Sequence, residues 1–132
     1  MIGLDTNVVI RYLVQDDKRQ SAVASRFIEK SLTTDAPGYI NHIILCEIVW
    51  VLQRCYSVKK QQVREIIEGL LTTKQFIVED VEVAWKALRS FDANNADFCD
   101  ALIGQKNTHS GCEHIVTFDK KAASLPGFDL LG

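Results

Sequence analysis

Short apolar runs at residues 1–4, 39–40, 76–78 and 114–118 are separated by longer stretches with helical periodicity, and this alternation constrains the fold more than any other feature. Runs of that length read as strands, and strands spaced by helices pair in parallel with helices covering both faces. The expected fold is therefore α/β: a three-layer α/β/α sandwich around a short, mostly parallel sheet of about four or five strands. Residues 128–131 offer a further edge strand. Helices are expected at residues 8–14, after the capping run Asp5-Thr6-Asn7, and at 18–32, opened by Asp16-Asp17. Others are expected at 42–56, 59–71, 81–91 and 96–107. The helix at 42–56 is apolar nearly all round and is expected to be largely buried.

A chain of 132 residues that is 47% hydrophobic suits a single domain spanning 1–132 with a substantial core. Disorder is excluded, because neither low hydrophobicity nor a high net charge is present. No window is apolar over the roughly 18 residues of a membrane span, and Met1-Ile2-Gly3-Leu4 runs into Asp5 without signal-peptide character. The cytoplasm is the expected compartment. With 15 basic against 17 acidic residues, the chain does not grip nucleic acid by bulk charge, although an acidic cluster neutralised by metal ions remains open. Cys46, Cys55, Cys99 and Cys112 show no C-x-x-C spacing, which argues against a zinc ribbon and for buried free thiols.

Ligand sites of open parallel sheets lie beyond the carboxyl ends of the strands. Asp5 closes the first strand there and Asp119 closes the strand at 114–118, each with helix capping as the plainer alternative. In the helix from residue 96, Asp97, Asp100 and Gly104 share one stripe, opposite Phe98, Cys99, Leu102 and Ile103. The small residues Ala101 and Gly104 beside two carboxylates suit a pocket wall, whereas a solvated acidic face is the alternative. Glu47 is the only acid in its apolar helix, so burial would demand either a basic partner or a cation. His42, His109 and His114 stand apart from these acids and read as surface or capping residues. Carboxylates without histidine or cysteine select hard cations, Mg²⁺ or Mn²⁺, and such sites point to phosphoryl chemistry.

Four segments carry a resemblance. Leu4-Asp5-Thr6-Asn7, then Glu47 within Cys46-Glu47-Ile48-Val49-Trp50-Val51-Leu52, then Asp97-Phe98-Cys99-Asp100-Ala101-Leu102-Ile103, then Val116-Thr117-Phe118-Asp119 resemble, in that order, the PIN-domain nucleases. The pattern is most similar to the VapC-type toxin subunits of bacterial toxin–antitoxin pairs. It covers essentially the whole chain, departing at Gln105 and Lys106, where many relatives have small residues. The resemblance implies a metal-dependent endoribonuclease, a hydrolase whose catalytic residues are Asp5, Glu47, Asp100 and Asp119. These four hold Mg²⁺ or Mn²⁺, and Asp97 is an additional acid that only some members carry. Thr6 and Thr117 match hydroxyls that support the ligands. Arg11, Arg54, Lys59, Lys60 and Lys120 are candidate RNA contacts. The implied partners are an RNA substrate, a second copy in a homodimer, and a cognate antitoxin that covers the acidic pocket and binds operator DNA.

Other acidic α/β classes fail on spacing. An aspartyl-phosphate phosphatase needs a second Asp where Asn7 stands, a receiver domain needs its acids and Lys in another order, and the dinucleotide-binding G-x-G-x-x-G is missing. The competing function is a catalytically inactive PIN-like module for protein interaction, against which the intact acids count.

Overall fold

A computed structural model describes residues 1–132, and the chain divides into two compact units, Met1–Glu79 and Asp80–Gly132. In the first unit, β1 (Ile2–Gly3), β2 (Gly38–Ile40) and β3 (Phe76–Val78) form a parallel sheet in that order. Parallel strands need crossovers, and these are α1 (Thr6–Val14) with α2 (Lys18–Arg26), then α3 (His42–Cys55) with α4 (Lys60–Thr72). The helix expected at 18–32 runs on from α2 as a π-helical turn, Phe27–Ser31. Short polar side chains start the helices: Asp5 and Asp17, as the sequence indicates, and also Asn41 each accept a backbone N–H at an N-terminus. Gly38 is required where β2 passes Leu4 and Leu32, since a Cβ there would lie 2.7 and 2.8 Å from their side chains. Ile28, Ile40, Leu45, Ile48, Leu52, Val63 and Ile67 form the core of this unit.

The second unit holds α5 (Val81–Ala93), α6 (Phe98–His109), β4 (Ile115–Thr117) and β5 (Phe128–Leu130). The last two pair in parallel through a connection containing the 3₁₀ turn Ala122–Ser124. Phe91 of α5 meets Phe98 of α6 edge to face at 5.9 Å, and Val83, Ala87, Leu88 and Leu102 of the same helices are buried. The fold is thus mixed α/β with short parallel sheets. Backbone pairing, however, divides into ladders of three and two strands rather than running through one sheet of four or five. Strands of two or three residues offer few backbone groups for a further partner, and β4 leaves Val116 exposed. No helix is long and apolar enough to cross a membrane.

Several expectations about burial change. α3 is not covered all round: Ile43 is 72% and Trp50 56% exposed, and Glu47 and Arg54 share that open face. Core contacts fall instead on Leu45, Ile48, Val49 and Leu52, because α3 meets its neighbours along one stripe only. The cysteines are free, but Cys55 and Cys112 are exposed and Cys46 and Cys99 only partly covered. His42 is buried rather than superficial. Its ring Nε2 meets the Glu79 carbonyl oxygen at 2.6 Å, and its backbone N–H donates to Glu79 Oε1 at 2.9 Å.

Candidate active site

In the first unit one acid stands just past the carboxyl end of β1 and another lies on the helix that follows the adjacent strand β2. Asp5 follows β1, and its Oδ1 accepts the backbone N–H of Thr6 at 2.8 Å, so it caps α1 and has a fixed orientation. Glu47 lies in the second turn of α3, the helix that follows β2. The Thr6 hydroxyl donates to Glu47 Oε1 at 2.6 Å and joins the start of α1 to α3. Burial therefore does not explain Glu47: its carboxylate is exposed, so no compensating cation is needed to keep it folded. What distinguishes it is the hydroxyl that orients it.

In the second unit, Asp97 is the N-cap of α6 rather than a residue of its first turn, and its Oδ1 accepts the backbone N–H of Asp100 at 2.7 Å. Asp100 occupies the first turn and is partly buried. Its carboxyl is pushed up to about 6, chiefly by burial, then by the charge of Asp97 and a hydrogen bond with it, and last by the charge of Asp119. Asp119, two residues beyond β4, takes the backbone N–H of Lys121 at 2.8 Å and of Ala122 at 3.3 Å on Oδ1. Its own N–H donates to the Thr117 hydroxyl at 3.0 Å. Asp97 and Asp119 thus both bear on the Asp100 carboxyl.

The stripe of small residues has a different explanation from a pocket wall. Gly104 is buried against β5, where an added Cβ would sit 2.6 Å from Phe128 Cε1, and Ala101 is buried too. Ile103, expected in the core, is 46% exposed instead. The helix turns Gly104 toward the Phe128 ring, because a residue without a Cβ leaves room for it.

Among the basic candidates, Arg11 is engaged within its own unit. Its guanidinium donates to Asp16 at 3.1 Å, to Gln20 at 2.7 Å and to the Tyr56 hydroxyl at 3.3 Å. Tyr56 in turn donates to Asp16 at 2.7 Å, and that bond is the main cause holding the Asp16 carboxyl below its ordinary value. Arg54, Lys59, Lys60 and Lys120 are exposed. His42, expected at the surface or as a cap, is instead the buried first residue of α3.

Within neither unit do three or more His, Cys, Asp or Glu side chains gather closely enough to hold a metal ion. The donors are nevertheless of one chemical kind, carboxylate oxygen, which matches a hard divalent cation and not zinc or copper. The upward displacement of Asp100 marks a place where positive charge would relieve strain.

Parallel β-α units with aspartates just past β1 and β4, an oriented glutamate in the helix after β2 and a crowded acidic helix start describe an acid-lined α/β domain. The chain belongs to the PIN domain family, whose pattern matches residues 2–127. It is similar to the VapC ribonuclease of Aquifex aeolicus (strain VF5), with 21% identity over 122 residues, covering 92% of this chain and 90% of that protein.

Proposed function

We propose that the protein is an endoribonuclease that hydrolyses RNA phosphodiester bonds using Mg²⁺ or Mn²⁺, acting in the cytoplasm as the toxin of a toxin–antitoxin pair. The observation that carries this reading is the Asp100 carboxyl, displaced to about 6 by burial and by two neighbouring aspartates. Crowded carboxylates are costly to keep charged without a cation, and structural capping alone does not call for them. Family membership and the similarity to a VapC ribonuclease support the reaction class.

Asp5, Glu47, Asp100 and Asp119 are the proposed catalytic metal ligands, with Asp97 as an additional acid. A hard cation held by them supplies charge neutralisation at the phosphodiester and lowers the pKa of water. The surrounding residues position the acids. Thr6 fixes one oxygen of Glu47, Thr117 fixes the backbone of Asp119, and the cap of α6 sets Asp97 against Asp100. Arg54, Lys59, Lys60 and Lys120 are proposed to receive RNA phosphates. Arg11 serves first to hold Asp16 and Tyr56. By its resemblance to the VapC-type toxins, the protein is further proposed to form a homodimer and to be held by an antitoxin that inserts a cationic side chain among the carboxylates and carries the pair to operator DNA.

The test is RNA cleavage by the parent protein, by Asp100→Asn and by Asp119→Asn, each with Mn²⁺ and with excess EDTA. Cleavage by the parent that disappears in EDTA and in both variants supports the reading. Cleavage that survives EDTA, or an Asp100→Asn protein as active as its parent, refutes it.

A further inference from the structure

The acids do not account for a second cluster, on α5. Glu82, Trp85, Lys86 and Arg89 recur at helical spacing on one face of that helix and line a shallow, open depression. The opposite face carries the core residues Val83, Ala84, Ala87, Leu88 and Phe91. Trp85 is partly exposed, while Lys86 and Arg89 are exposed, and neither cation is tied to a carboxylate.

We propose that this face of α5 is a binding site for single-stranded RNA, seating a base against Trp85 and the adjoining phosphates on Lys86 and Arg89. Single strands are held by this combination: an aromatic surface that accepts any base, with cations tracking the backbone. Arg89 adds a planar guanidinium able to grip phosphate through two donors. Glu82 before them and the exposed Asp92 one turn beyond Arg89 repel phosphate, which confines it to the stretch between them that carries Lys86 and Arg89. An acidic peptide satisfies the cations but leaves the indole without a planar partner, so the combination favours a nucleotide. The choice of RNA rests on the ribonuclease reading above; the geometry itself concerns binding and not cleavage.

The test uses the full chain carrying Trp50→Phe, which leaves Trp85 as the fluorescent reporter. It is titrated with a ten-nucleotide uridine RNA in EDTA, so that binding is read without cleavage. Quenching of Trp85 is expected. Lys86→Gln with Arg89→Gln should weaken binding by about ten-fold or more, and the slope of log K against log salt should flatten by about 1.4, from two lost phosphate contacts. Arg89→Gln alone should flatten it by about half as much, and Trp85→Ala, followed by anisotropy of labelled RNA, should lose about ten-fold. All variants should keep the parent's circular dichroism melt. An unchanged dissociation constant and salt slope in the charge variants overturn the proposal, as does a ten-residue glutamate peptide that displaces the RNA at equal concentration. The two readings fail separately. If the parent binds this RNA through α5 but cleaves none, the ribonuclease reading falls and this one stands. If cleavage is lost in Asp100→Asn while the α5 variants bind like the parent, the reverse holds.

Discussion

Replacing Asp100 by asparagine deletes a charge while keeping the side chain's size and the backbone N–H that donates to Asp97. The carboxyl lies at about 6 in the folded protein against an ordinary 3.8. A raised carboxyl means that the folded state holds the proton more tightly than the unfolded chain. Ionisation therefore costs folding free energy, and the cost is absent below the unfolded value, grows between the two values and is complete above about 6. The full displacement corresponds to about 3 kcal/mol. Because the carboxyl keeps contact with water, screening reduces the recoverable part to roughly 1 kcal/mol. In EDTA at pH 8, Asp100→Asn should raise the melting temperature by about 3–5 °C for a chain of this size. At pH 4, where the parent carboxyl is itself largely neutral, the gain should shrink toward zero. Manganese should stabilise the parent and not the variant, since only a folded state that binds the ion gains from it. Calorimetric melts at both pH values, with and without Mn²⁺, decide the matter. A variant no more stable than the parent at pH 8, or a gain of the same size at pH 4, refutes the argument that Asp100 is held charged against its neighbours.

Other outcomes follow from single contacts. Asp97→Asn keeps a good N-cap for α6 but removes the largest charge effect on Asp100; carboxyl-carbon NMR should show Asp100 titrating lower, with a smaller loss of cleavage than in Asp100→Asn. Thr6→Val removes the hydroxyl that donates to Glu47; kinetics should show about ten-fold slower cleavage, with stability changed by less than about 1 kcal/mol at so exposed a site. Gly104→Ala gains about 1 kcal/mol of helix preference but forces a methyl against the Phe128 ring, a cost of about 1–3 kcal/mol. Urea unfolding should therefore show net destabilisation, relieved when Phe128→Leu is added, and a Gly104→Ala protein more stable than its parent would contradict the packing at β5.

What the sequence by itself determined was local: which runs become strands, which polar residues start helices, and which acids sit at those junctions. Asp5, Asp17 and Asp97 each cap the helix that follows; the first two were readable as such, because an acceptor one to three residues from a free backbone N–H needs no tertiary partner, whereas Asp97 read as part of the helix it caps. The order of the four acidic motifs was equally legible, and it identifies the PIN domain family. Exposure was not legible. Hydrophobic composition implied that α3 was covered on every side, yet a helix touches its neighbours along one stripe, and only packing decides that Leu45 and Leu52 lie in it while Ile43, Glu47 and Trp50 do not. Gly104 read as a pocket wall until Phe128, distant in sequence, was found against it. The same holds for Asp100: its spacing from Asp97 is written in the chain, but the burial and the proximity of Asp119 that lift its carboxyl to about 6 arise only when β4 and α6 are brought together. Caps and strand ends depend on bonds between residues a few places apart, whereas burial, close approach and charge crowding depend on what the rest of the chain places alongside.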